Sequence, residues 1–199
     1  MKVVVINGSP RPRGVVSQML AHIAESLPAE CEKEVFFVGD LTVKPCVGCM
    51  KCRSLGRCVL PRDDGHRFAE ALRGADALAV GSPCNWGNMN GALKVLFDRS
   101  VYAMMGEREN GMPLPLHRGK RAVVVTACNT VWPFSVLCGQ TRGVFRALHE
   151  ILRWSGFRVA GRLAKSGCRR SGGLSRREVV RCEKLAKKIC LQEKTCMRG

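Results

Sequence analysis

Short runs of β-branched residues without polar interruption recur along the chain, and most are followed by a turn and a stretch of helical period. The first is Lys2-Val3-Val4-Val5-Ile6. A strand covered on one face alternates polar and apolar residues, so an unbroken run implies cover on both faces. Glu34-Val35-Phe36-Phe37-Val38, residues 75–80, residues 121–126 and Phe157-Arg158-Val159-Ala160 repeat the signal. Helices are predicted over 15–27, from Asp63 or Asp64 to 73, over 92–104, over 138–154 and, basic on one face, over 175–191. Strands alternating with helices build parallel βαβ units with right-handed crossovers. The expected fold is therefore α/β: a doubly wound, five-stranded parallel sheet of order 2-1-3-4-5, with helices on both faces. Ligands in such sheets sit beyond the carboxyl ends of the strands, which points to loops 7–17, 82–91 and 127–137. No repeat or linker interrupts residues 1–199, which read as one domain with a surface excursion at 106–119.

The chain carries 33 basic and 16 acidic residues, a net charge of +17. Between Arg153 and Gly199 there are 14 basic and three acidic residues. Such a field attracts acidic partners, yet the basic region has no interleaved aromatic platform or reading motif, so nucleic acid is not the expected ligand. No apolar run is long enough for a membrane span. Residues 3–6 are too short for the core of a secretion signal, which predicts a cytoplasmic protein. Twelve cysteines in such a chain point to metal or redox use rather than a disulfide framework.

Four of the twelve lie close together, as Cys46-Val47-Gly48-Cys49-Met50-Lys51-Cys52 and then Cys58, in a segment (44–62) read as a loop. Thiolates two residues apart wrap one iron–sulfur cubane, and a fourth a few residues on can close it. Zinc sites usually pair two separated C-x2-C knuckles and fit this spacing less well. A redox dithiol needs only two of the four, and purely structural cysteines need none of this chemistry. The irregular spacing of Cys168, Cys182, Cys190 and Cys196 makes a second cluster the lesser reading. His117 and His149 have no metal-like pattern and read as surface or helix residues.

The first loop, Asn7-Gly8-Ser9-Pro10-Arg11-Pro12-Arg13-Gly14-Val15-Val16-Ser17, joins a strand to a helix, where free N–H groups and the helix dipole suit a phosphate. It is neither a Walker loop nor a G-x-G-x-x-G fingerprint. The second, Gly81-Ser82-Pro83-Cys84-Asn85-Trp86-Gly87-Asn88-Met89-Asn90-Gly91, offers an aromatic ring and backbone polar groups to a planar ligand. Together, "GSPRPRG" and "GSPCNWGNMNGALKVLFDR" resemble the NADPH-dependent FMN reductases of the flavodoxin superfamily. The resemblance runs from residue 1 to about 130 and is specific over 3–17 and 76–99.

That resemblance implies a flavodoxin-like fold and FMN as cofactor. Ser9, Arg11, Arg13, Gly14, Val16 and Ser17 would surround its phosphate, and Pro83, Cys84, Asn85, Trp86, Gly87, Asn88 and Met89 would line the flavin. Val16 stands where the family usually has a hydroxyl, which Ser17 would have to replace, and Asn85 where it often has an aromatic ring. The cysteine segment resembles that of the iron–sulfur flavoproteins of the same superfamily. It implies a [4Fe–4S] cluster on Cys46, Cys49, Cys52 and Cys58, and a homodimer or homotetramer. The function implied is FMN-dependent electron transfer, with NAD(P)H or an acidic ferredoxin as donor and no protein acid, base or nucleophile. A cluster-free NAD(P)H-dependent FMN or quinone reductase is the alternative, and a non-enzymatic flavodoxin-like carrier the second.

Overall fold

Val4 and Ile6 of the first strand enter one apolar core, Val3 and Val5 a second, and all four are buried. This explains the unbroken run: both faces of the sheet are covered. The computed structural model describes residues 1–191. In chain order the elements are β1 (Lys2–Asn7), α1 (Val15–Glu25), β2 (Glu32–Phe37), α2 (Lys51–Leu55), α3 (Asp64–Arg73) and β3 (Ala77–Pro83). They continue with α4 (Gly91–Arg99), α5 (Val101–Met104), β4 (Met105–Glu107), β5 (Pro113–Pro115) and β6 (Arg121–Ala127). The last are α6 (Phe134–Leu137), α7 (Gln140–Ser155), β7 (Arg158–Lys165), α8 (Cys168–Ser171) and α9 (Arg176–Cys190).

The main sheet is parallel, with spatial order β2-β1-β3-β6-β7. These are the five expected strands in the expected 2-1-3-4-5 arrangement. Helices α1 and α9 cover one face through Met19, Ile23, Leu185 and Ile189; α3, α4, α5 and α7 cover the other through Phe68, Leu96, Tyr102 and Leu148. Register pairs Asn7 with Gly81, Pro83 with Ala127 and Ala127 with Lys165. The carboxyl ends of four neighbouring strands therefore finish at a common edge.

Several elements differ from expectation. The last strand reaches Lys165 rather than Ala160, because beyond a register shift at Ala122/Val123 it keeps pairing with β6 while burying only alternate residues. The helix predicted over 92–104 divides at Ser100, whose backbone leaves the helical region and whose hydroxyl meets the Gly65 carbonyl. The excursion at 106–119 holds a small antiparallel hairpin, β4 with β5. The cysteine segment is not loop throughout, since α2 forms one turn within it. His117 is buried, not superficial. Its ring stacks on Phe157 at 4.4 Å and Nε2 meets the Ala103 carbonyl at 2.8 Å, so burial pushes its pKa down. Among the described residues no helix is long and apolar enough to cross a membrane.

Candidate functional site

At the carboxyl edge the first loop folds on its own polar groups. The Asn7 side-chain amide donates to Ser17 Oγ at 2.8 Å, and Asn7 Oδ1 accepts from the Ser9 N–H at 3.0 Å. Ser17 Oγ donates to the Arg11 carbonyl at 2.7 Å, and the Arg11 N–H donates to Ser9 Oγ at 3.1 Å. A serine hydroxyl has one proton to give. Ser17 has given it inside the protein, so its role is to shape the loop. Gly14 caps α1 with no side chain, and the first turn has no acidic residue. That helix end keeps free N–H groups beside Arg11 and Arg13, the arrangement an anion favours.

The second loop turns at Trp86 and Gly87, between Asn85 and Asn88, whose backbones bond each other reciprocally at 2.9 Å. Both central residues have positive φ, 52° and 72°, as a type I′ turn requires. A tryptophan rarely adopts this backbone; here its ring is fully exposed. Met89 faces the other way, into the core. Gln140 joins the loops: its carbonyl accepts from Cys84 Sγ at 3.4 Å and its Oε1 from Thr130 at 2.9 Å.

Between the loops lies an open cleft of about 1010 Å³. Ser9, Arg11, Arg13, Gly14, Val16, Pro83, Cys84 and Asn85 line it. Ser17, Trp86, Gly87, Asn88 and Met89 are not on its wall. The third loop contributes Cys128 and Asn129, as its position predicts. Sequence reasoning missed Cys168 and Arg169. The unforeseen extension of β7 carries them to the cleft, and nothing in their local sequence signals it.

A second cavity, of about 190 Å³, is lined by Cys46, Cys49, Cys52 and Cys58 together with Arg53, Tyr102 and Glu107. It shares no lining residue with the cleft. The segment is pinned at several points. Lys44 is held through its N–H by Asp63 at 3.1 Å and through its carbonyl by Arg99 at 2.6 Å. Arg53 pairs with Glu107 at 3.0 Å, and Arg73 donates to the Gly56 carbonyl. Gly48 and Gly56 adopt positive φ with open space around them, and the Gly48 N–H donates to Cys46 Sγ at 3.5 Å. Burial pushes the Cys52 thiol up, as do its neighbours Cys46, Cys58 and Cys49. The donor set and the cavity suit a thiolate-bound cluster. Among the described residues, no three side chains are already drawn together as metal ligands. Of the cysteines weighed for a second cluster, Cys168 is at the cleft, Cys182 and Cys190 are on α9, and Cys196 lies outside the described residues.

A doubly wound sheet with an arginine-bearing strand–helix loop and a second, amide-rich loop at its carboxyl edge makes this a flavodoxin-like α/β protein. The chain belongs to the NADPH-dependent FMN reductase family, which matches residues 1–159. It is 37% identical over 103 residues to an iron–sulfur flavoprotein of Methanosarcina thermophila, covering 51% of this chain and 53% of that one. It is 35% identical over 101 residues to one of Methanocaldococcus jannaschii, covering 50% and 52%. The chain thus spans about half the length of the curated relatives it matches. Among solved structures, an FMN-dependent NADH-azoreductase of Bacillus anthracis in complex with FMN superposes with TM-score 0.72 at 14% identity, over 96% of this chain and 100% of that one. An archaeal flavodoxin gives 0.57 at 15% identity, over 95% and 96%. These two likenesses concern the fold.

Proposed function

We propose that the chain binds FMN in the cleft at the carboxyl edge and works as a flavin-dependent electron-transfer oxidoreductase, with a [4Fe–4S] cluster on Cys46, Cys49, Cys52 and Cys58. One observation carries the reading: the uncapped N-terminus of α1 and the guanidinium groups of Arg11 and Arg13 share a cleft with the loop after β3. Free amides and bidentate arginines recognise phosphate. The Pro83–Asn85 backbone then forms the wall against which a planar ring lies. When bound, FMN supplies two-electron exchange with a nicotinamide and one-electron exchange with a cluster. The chain's own residues bind, orient and shield; none is placed as a proton donor. The four cysteine thiolates would hold the cluster, away from the cleft. That separation favours a dimer in which one protomer's cysteine cavity meets its partner's cleft.

Protein purified without oxygen is expected to contain about four iron and four sulfide per flavin, with broad absorbance bleached by reductant. Cys49→Ala should lose iron and keep FMN. Flavin without iron would leave a cluster-free NAD(P)H-dependent reductase. Folded protein with neither would overturn the proposal. Arg11→Ala and Arg13→Ala should each weaken FMN binding about tenfold, the worth of a charged hydrogen bond. Riboflavin, which lacks the phosphate, should bind wild type and variants alike; equal losses for both ligands would remove the arginines from the phosphate site.

A further inference from the structure

Three cysteines from distant parts of the chain, Cys84, Cys128 and Cys168, reach the wall of the cleft. Two of them are joined through the backbone. The Cys168 N–H donates to the Cys128 carbonyl at 3.1 Å, and the Cys128 N–H donates to the Lys165 carbonyl at 2.9 Å. That single backbone bond makes Cys128 and Cys168 direct neighbours across two chain segments, the kind of close approach a disulfide needs, since its Cα atoms must lie within roughly 7 Å. The thiols are not committed to strong partners: Cys128 Sγ donates to the Thr130 carbonyl and Cys168 Sγ to the Lys165 carbonyl, each at 3.4 Å. Cys128 is buried and Cys168 half-buried, so a solute in the cleft meets Cys168 first. Arg11, Arg13 and Arg169 line the same cleft, giving it a positive field that suits an anionic solute.

We propose that Cys128 and Cys168 form a dithiol–disulfide exchange centre in the cleft, taking small anionic disulfides as substrates. The Cys168 thiolate attacks one sulfur of the substrate, whose S–S bond breaks and releases a thiolate. The Cys128 thiolate then attacks the Cys168 sulfur of the mixed disulfide, closing the Cys128–Cys168 bond and expelling the second thiolate. The protons lost by the two cysteines pass to the two leaving thiolates. The pair is oxidised by two electrons and the substrate is reduced to two thiols. A reducing dithiol runs the exchange backwards. Burial, Cys128 and Glu178 push the Cys168 thiol up, while Lys165 and the Cys128 N–H pull it down, so the centre exchanges faster as the pH rises.

The test uses the full chain, with and without added FMN, treated with oxidised glutathione and mapped as non-reduced peptides. The expected product is a Cys128–Cys168 crosslink with loss of two hydrogens, reversed by dithiothreitol. Cys128→Ser should instead trap glutathione on Cys168. Bridges formed only elsewhere, for example between Cys31 and Cys190 or within 46–58, would overturn the proposal. Separate glutathione adducts on Cys128 and Cys168, or a Cys84–Cys128 bridge, would do so too. The centre's place in the flavin site rests on the function proposed above, and FMN reports on that part separately. A crosslink slowed by FMN supports both readings. A crosslink that FMN leaves unchanged supports the dithiol and moves FMN out of the cleft.

Discussion

Asp63→Ala is expected to destabilise the fold by about 3–5 kcal/mol, the cost of stranding a buried charge. The Arg99 side chain is 1% exposed and that of Asp63 10%. The guanidinium bonds both carboxylate oxygens, Nη1 to Oδ2 at 2.8 Å and Nη2 to Oδ1 at 3.0 Å. The same carboxylate accepts from Gly65 as the cap of α3 and from the Lys44 N–H. Alanine removes all of these and, among the described residues, leaves the Arg99 side chain bonded to the Lys44 carbonyl alone. Because the penalty is mainly the unpaired charge, adding Arg99→Met should recover part of the loss. Urea unfolding reads both. A loss below about 1 kcal/mol for Asp63→Ala would mean that Arg99 escapes to solvent when its partner goes. The clamp also holds Lys44, two residues before Cys46, so under the cluster proposed above iron retention should fall with it.

The same pair contributes to the pH dependence of stability on the acid side. Burial pushes the Asp63 carboxyl up, but the Lys44 N–H, Arg99 and His66 outweigh it and leave the group below the usual carboxylate range. Glu178 behaves alike: burial raises it, and Lys165 and Ser175 bring it down further. A depressed carboxylate contributes stability that is complete above its unfolded pKa of about 4 and is lost as pH falls through the folded value. Stability should thus be insensitive to these groups near neutrality and decline below about pH 4. The decline should be shallower in Asp63→Asn, which has no proton to take up there.

What the sequence made legible was whatever is written in neighbouring residues. The β-branched runs announced the sheet because each strand's cover is recorded in its own composition. Asp63 announced a helix start because capping acts over three residues. Arg99 sits in a stretch, Leu96-Phe97-Asp98-Arg99, that reads as an ordinary amphipathic turn, and its partner is 36 residues away. His117 gave no sign of burial because the ring it stacks on is Phe157. Cys168 gave no sign of reaching the cleft because β7 had to be extended first. The loop after β1 stood out as a motif, but the inward turn of Ser17 depends on how Asn7 and Arg11 meet it. The four clustered cysteines were plain as a spacing, and their common cavity emerges only with Tyr102 and the β4 hairpin in place.

Gly143→Ala is expected to lower FMN affinity at least tenfold while leaving the fold nearly as stable. On helix propensity alone the substitution should stabilise, by roughly 0.5–1 kcal/mol. Its added methyl, however, would lie 1.8 Å from the Gly87 carbonyl oxygen, a contact that no side-chain rotation relieves. Something must shift, and the two sides are unequally held. The far face of α7 is locked into the core by Val144, Leu148 and Leu152, all fully buried. The Trp86–Gly87 turn has one ring in solvent, and a methyl built on Gly87 would meet nothing within 4 Å, so that side of the turn has room to move. The loop therefore yields, carrying Asn85 and Cys84 away from the cleft wall, and the cost of overpacking offsets the gain in helix propensity. Gly91→Ala is the matched control, since a methyl there meets nothing within 4 Å. It should leave FMN affinity unchanged. FMN titration followed by flavin fluorescence, alongside thermal unfolding of the FMN-free proteins, separates the two effects. Unchanged affinity in Gly143→Ala would show that the turn after β3 does not support the flavin.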